Sequence, residues 1–299
     1  MKILAIGDFH GKFPRKFTKI IRKEKIDIML SNGDYTPFSL RDLFFKHIYM
    51  NPEKNLWEVI GKEKYKRITL RDLKDGEKIL KKLNSLGIPV FTVLGNNDYP
   101  FGDDVRDFSK KERDRWKWKW EKDKLNFYPR IIKKYNNIHR VDYSYGKFGD
   151  YIIIGARGHS HPGAVKSKTY KKHKKILGKL FDKFKKENKE KKVIFLTHNM
   201  PYNTKLDKLS IRAIKFALKH AGKNKKIVKK RKRHYGSKMF RRVIKKYQPI
   251  LQIGGHIDEG MGKQKLGRTL MVNCGPAHHG KAAIIELDAG RVKKVRFIR

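Results

Sequence analysis

The sequence predicts an α/β protein built in layers, and three observations predict it. Short runs rich in Ile, Val and Phe recur along the chain between charged stretches. Apolar stripes at helical spacing fall between several of them, and Asp, Asn or His stands just after five of the runs. Near-continuous apolar runs of about four to eight residues read as strands buried on both faces. Alternation of such strands with helices makes a layered α/β architecture.

In chain order, Ile3–Ile6 is the first strand and runs into Gly7-Asp8-Phe9-His10-Gly11; Ile26–Leu30 follows and leads to Asn32-Gly33-Asp34. Ile79, Leu80, Leu83 and Leu86 form a helical stripe closed by Gly87, which suits a position just past a helix end. Ile88–Leu94 then delivers Gly95-Asn96-Asn97-Asp98. Tyr151–Ile154 precedes Gly158-His159-Ser160-His161, whose spacing suits an exposed turn. A second stripe, Ile176, Leu177, Leu180, Phe181 and Phe184, comes before Val193–Leu196, and that strand ends in Thr197-His198-Asn199. The third stripe is Met239, Phe240, Val243, Ile244 and Tyr247, with Ser237 placed to cap it. Ile250–Ile253 leads to Gly254-Gly255-His256-Ile257-Asp258. Thr269–Val272, Ala282–Leu287 and Val292–Ile298 crowd at the end and suggest a terminal meander.

The 299 residues show no internal repeat and no low-complexity linker, so the expectation is a single domain, 1–299. Surface insertions are expected at about 35–75, 99–137, 159–192 and 203–233, bounded by the strand and turn signals. The last insertion ends in the run Lys223–Arg233, where eight of eleven residues are Lys or Arg. Across the chain, 75 Lys+Arg against 29 Asp+Glu leave a formal charge of +46. Such a field attracts polyanions, so a nucleotide or nucleic acid is the natural partner. Compositional bias toward lysine usually brings glutamate with it, and here the acidic count stays low. The lone Cys274 excludes an internal disulfide, fits a reducing compartment and reads as a small buried filler. No apolar run approaches the ~18 residues of a membrane span, and Ile3–Ile6 is too short for a signal-peptide core. The expectation is a cytoplasmic protein without a membrane partner; nothing in the pattern speaks to oligomeric state.

Five strands each delivering Asp, Asn or His near the carboxyl end make a constellation, because open α/β sheets bind ligands at that edge. Carboxylate, amide and imidazole are the donors of hydrolytic metal sites. Glycines beside them let the backbone turn sharply. His234 and Ser237 stand where a helix N-terminus could meet an anion, directly after the basic run. Trp116-Lys117-Trp118-Lys119-Trp120 suits either base stacking or a cap helix packing two tryptophans inward. His278 and His279 are expected to be exposed.

The order Asp-x-His, Gly-Asp, Gly-Asn-x-Asp, His after a strand, and Gly-His-x-Asp resembles the calcineurin-like metallophosphoesterase superfamily over nearly the whole chain. The C-terminal third is similar to small prokaryotic phosphoesterases related to cyclic-nucleotide phosphodiesterases. That likeness rests on His234-Tyr235-Gly236-Ser237, Gln248-Pro249, Gly255-His256-Ile257-Asp258-Glu259 and Asn273-Cys274-Gly275-Pro276. The resemblance implies a four-layer αββα sandwich of two mixed sheets with a dinuclear metal site at the strand carboxyl ends. It implies one ion on Asp8, His10 and Asp258, a second on Asn96, His198 and His256, and Asp34 bridging both. A metal-bridging hydroxide would attack phosphorus. Asn97, Asp98 and His234 form the expected catalytic set, with Ser237 and Asn97 contacting substrate.

Two positions depart from the family pattern. Asp258 replaces a histidine and shifts the site toward harder ions, favouring Mn²⁺, with Mg, Fe or Zn as alternatives. Asn97 replaces a histidine and can donate a hydrogen bond to phosphate but cannot deliver a proton. The reading is a metal-dependent phosphoesterase, a phosphodiesterase acting on a nucleotide or nucleic acid. The alternatives are a phosphomonoesterase or protein phosphatase, or a nucleic-acid-binding protein with a degraded metal site.

Overall fold

The computed structural model describes residues 1–49, 54–98, 117–158, 168–219 and 233–299. Strands β1 (Lys2–Ile6), β2 (Ile28–Ser31), β3 (Val90–Thr92) and β4 (Ile138–Arg140) run parallel. Antiparallel β11 (Ala282–Asp288) and β12 (Arg291–Ile298) extend them in the order β12-β11-β1-β2-β3-β4. The second sheet is β5 (Tyr145–Phe148), β6 (Tyr151–Ala156), β7 (Val193–Asn199), β8 (Leu251–Gly255), β10 (Thr269–Asn273) and β9 (Gly262–Leu266), in that order. Its four inner strands are parallel and its two edges antiparallel.

Side chains alternate across each strand, and that alternation builds the layers. Ile3 and Ala5 of β1 face inward with Ile194, Leu196, Ile253 and Val272 of the other sheet. Leu4 and Ile6 face outward onto Phe17, Leu73, Leu80 and Tyr128, which lie in helices spanning Lys16–Glu24, Lys62–Asn84 and Phe127–Ile132. Ile152, Ile154 and Phe195 turn toward Leu177 and Phe181 of the helix Lys168–Lys183 and Phe240 of the helix Lys238–Tyr247. The result is the four-layer αββα sandwich of two mixed sheets, with one apolar core between the sheets and one on each outer face.

Several expectations change. The terminal meander does not form as one unit: β10 pairs with β8 and β9 in the second sheet, whereas β11 and β12 belong to the first. Residues 274–281 carry the chain from one sheet to the other. Val292–Ile298 is an edge strand with a largely exposed burial pattern, not a strand covered on both faces. Strands β4, β5 and β9 leave no apolar run in the sequence because they are short, polar and at or near sheet edges. The stripe at Ile79 belongs to a 23-residue helix that begins at Lys62. Trp120 joins an apolar cluster, as the inward-packing reading expects. Trp118, which that reading turns away from the packed face, precedes the helix Lys119–Leu125 and also packs inward, edge-on to Trp57 at 5.6 Å and beside Tyr65 at 6.0 Å. Trp116, His159, His161 and residues 223–232 of the basic run lie outside the described residues.

Candidate metal centre

The parallel pairing of β1 with β2 puts the two loops that follow them side by side. They are zipped by backbone bonds, from Asp8 N to Gly33 O at 2.8 Å and from His10 N to Asp34 O at 2.9 Å. Parallel pairing of β7 with β8 brings His198 and His256 together, their rings 4.9 Å apart. Asp8, His10, Asp34 and His256 all take left-handed backbone conformations, with φ of +54°, +44°, +56° and +71°. Strain of about 1–3 kcal/mol per residue persists only where surrounding structure enforces it, typically at functional sites. The loops also lie too close for ordinary side chains. A Cβ on Gly95 would overlap the Asp34 carboxylate, and one on Gly255 would overlap that of Asp8.

Among the described residues, two candidate ligand trios result. Asp8, His10 and Asp34 offer donor atoms within 4.8 Å of one another, and so do Asp34, His198 and His256. Asp34 is common to both. One oxygen of its carboxylate, Oδ2, lies 3.9 Å from His10 Nε2 and 3.7 Å from His198 Nε2. Carboxylate oxygens and imidazole nitrogens suit first-row and alkaline-earth divalent ions.

The histidine geometry tests that fit. His198 Nδ1 lies 2.8 Å from the Asn32 carbonyl oxygen, which can only accept, so Nδ1 carries the proton. The neutral ring then presents a lone pair at Nε2. That atom faces Asn96 Oδ1 at 2.8 Å and His256 Nδ1 at 3.1 Å. The lone pair opposite the Asn96 oxygen calls for a donor, which a proton on Nε2, the His256 Nδ1–H or a metal ion would supply. The His198 pKa rises accordingly: burial opposes the charge, but the Asp34 and Asp8 carboxylates outweigh it. Burial raises Asp34 as well, against the pull of His198 and His10.

The remaining expected residues fall in different places. Asn96 sits against His198. Asn97 directs its backbone N–H to Asp34 Oδ1 at 2.8 Å and its side-chain amide to Oδ2 at 3.0 Å, so in this arrangement it orients the shared carboxylate. Asp258 is in neither trio; burial and the neighbouring Asp8 charge push it up to about 7. Asp98, expected among the catalytic groups, is instead buried and turned into the loop. It accepts bonds from the backbone N–H groups of Asp34, Tyr35, Thr36 and Gly95 and from the Thr36 hydroxyl. Asp98 thus ties residues 34–36 to Gly95, and burial pushes its pKa up to about 6. Ser237, expected to contact substrate, is buried, and its hydroxyl accepts from Phe240 N at 3.2 Å. It is the helix N-cap. His234 bonds through Nδ1 to Asp207 at 2.8 Å and packs on Tyr202 at 5.7 Å, which joins it to the 202–209 loop.

Two contributors leave little trace in the sequence. Asn32 is fully buried; its side-chain amide donates to Asp8 Oδ2 at 2.8 Å while its carbonyl orients His198. The Asn-Gly-Asp run after β2 is its only signal. His278 is expected in an exposed loop, yet it is half-buried beside Asp8 and His10.

No curated protein sequence matches the chain significantly. Solved structures do match its fold. One crystal structure is 20% identical with a TM-score of 0.67, aligning 99% of this chain with 97% of the other. The TT1561 protein of Thermus thermophilus is 18% identical with a TM-score of 0.53, covering 99% of this chain and 97% of that one. A dimetal phosphatase from Danio rerio is 9% identical with a TM-score of 0.55, covering 100% and 96%. The family model for calcineurin-like phosphoesterases matches residues 1–259, the stretch that carries β1 through β8 and every residue of both ligand trios. The chain belongs to the calcineurin-like phosphoesterase family.

Proposed function

We propose that the protein is a phosphodiesterase that uses two divalent ions, Mn²⁺ by preference, to hydrolyse a nucleotide or nucleic-acid substrate. The observation that carries this reading is Asp34, one buried carboxylate shared by two ligand trios. Asp8 and His10 would hold one ion with Asp258 beside them; Asn96, His198 and His256 would hold the other. Ions there supply phosphate clamping and an activated water nucleophile.

The protein's own groups set that chemistry up. Asn32 fixes the tautomer of His198, and Asn97 and Asp98 hold the Asp34 side chain and loop in place. Second-sphere bonds of this kind orient ligands and raise their basicity. His234 is the candidate to protonate the leaving oxygen. Asp207, fully buried, accepts a hydrogen bond from its Nδ1–H, which leaves Nε2 as the nitrogen that could serve a leaving oxygen. Ser237 N donates to Met200 O, two residues past His198, and so ties the His234 turn to the end of β7. The +46 charge favours a polyanionic substrate over most proteins.

Purified protein with Mn²⁺ should cleave an aryl phosphodiester faster than the matching monoester and should cleave RNA or DNA. A monoester preference points to the phosphomonoesterase reading. Nucleic-acid binding without turnover points to a degraded metal site, the reading that Asp258's place outside both trios favours.

A further inference from the structure

The chain crosses from the second sheet to the first through residues 274–281, beyond the stretch matched by the family model. Because β11 lies antiparallel to β1, this crossing runs alongside the loop that follows β1. Ala277 N donates to Gly7 O at 2.8 Å, and His278 N donates to Asp8 O at 3.3 Å. The His278 side chain reaches the same oxygen: Nδ1 lies 2.8 Å from Asp8 O. A carbonyl oxygen only accepts, so Nδ1 carries the proton there. The imidazole also meets the His10 ring edge-on, with centroids 4.9 Å apart. One side chain thus grips the backbone of one expected ligand and the ring of another.

The grip falls where the backbone is strained. Asp8 and His10 have φ of +54° and +44°, and no glycine occupies either position. A strained turn keeps its geometry only if neighbouring groups hold it. Asn32 and Asn97 hold His198 and the shared Asp34, and Asn32 also reaches the Asp8 carboxylate, but the Asp8 carbonyl at the strained turn is held by His278.

We propose that His278 is a positioning residue for the metal site built on Asp8 and His10, holding that turn in its ligating conformation from a segment outside the family match. The proposal rests on the two-ion reading of the site. Its consequence is asymmetry: losing the His278 donor should weaken one ion and spare the other.

Titration of the metal-free protein with Mn²⁺, followed by the electron paramagnetic resonance signal of the free ion, counts the sites and their affinities. Wild type should bind two ions; fewer than two would refute the two-ion reading itself, before any variant is considered. His10→Ala identifies which class of site the Asp8–His10 turn holds. His278→Phe keeps a ring against His10 but removes the donor, and should weaken that same class about 10- to 100-fold, the usual effect of removing an outer-shell partner. His278→Asn, whose amide can still donate to Asp8 O, should recover part of the loss. His279→Ala, an exposed neighbour, should bind as wild type. Unchanged affinities in His278→Phe overturn the proposal. Equal weakening of both classes overturns it too, because that marks general loosening of the fold. Should His278→Phe fail to fold, His278→Asn against His278→Ala makes the same comparison.

Discussion

At the residue scale, the site is a set of buried acids and imidazoles that crowd one another. Asp34 is raised by burial, Asp98 is pushed up to about 6 and Asp258 up to about 7, and His198 is raised by its carboxylate neighbours in spite of burial. A group whose folded pKa is raised binds its proton more tightly folded than unfolded. Its contribution favours folding at low pH and is lost as pH rises through the folded pKa. His278 works the other way, since burial pushes it down to about 4. With four raised groups against one, the metal-free protein should melt higher at about pH 6 than at about pH 7.5. Ligands must shed protons to bind an ion, so the rise in melting temperature produced by Mn²⁺ should shrink over the same descent. Melting curves with and without Mn²⁺ at both pH values check this; parallel trends would count against the ligand assignment. Asp34→Asn should abolish occupancy of both sites together with hydrolysis while the circular dichroism spectrum stays unchanged. A variant that keeps both ions would remove Asp34 from the bridging position.

At the element scale, the helix Lys238–Tyr247 shows how one residue type supports two readings. Ser237 at a helix start could cap it or could present a hydroxyl to an anion. Its burial and its bond to Phe240 N decide for the cap. Ser237→Ala should therefore cost about 1 kcal/mol in chemical denaturation and leave KM for a small phosphodiester unchanged. A raised KM without loss of stability would restore the substrate-contact reading. The ends of β1, β2, β7 and β8 supply both trios because parallel strands point their carboxyl ends to one edge. Strand β9 runs the opposite way and ends at the other edge, and both β9 and β12 guard sheet edges with lysines, a common protection against edge pairing.

At the scale of the whole molecule, charge is the dominant property. Phosphate contacts release counterions, so affinity for nucleic acid should fall steeply as salt rises. Neutralising Lys229, Lys230, Arg231 and Lys232 should flatten the plot of log affinity against log salt by up to ~0.9 units for each duplex-DNA phosphate that is no longer neutralised. Turnover of a small diester should barely move. If neither quantity changes, the charge excess is compositional and the nucleic-acid substrate loses its support.

The strands buried on both faces and the residues at their ends were legible in the sequence, since such a strand must be apolar and its loop must begin where the apolar run stops, whereas the exposed edge strands β4, β5 and β9 were not. That local pattern put Asp8, His10, Asp34, His198 and His256 among a wider pool of strand-end donors, and the family resemblance singled them out as ligands. What lies beside them could not be read there. His278 meets Asp8 across 270 residues of sequence, and Cys274 meets Asn32 across 242. Asp98 looks like a fourth strand-end acid in the sequence; only the folded loops show its oxygens filled by backbone donors. Which sheet β10 joins likewise depends on packing, because two apolar faces offer a strand equivalent burial and only pairing selects one. Local pattern determined which side chains could bind ions; long-range contact decided which of them are held ready to do so.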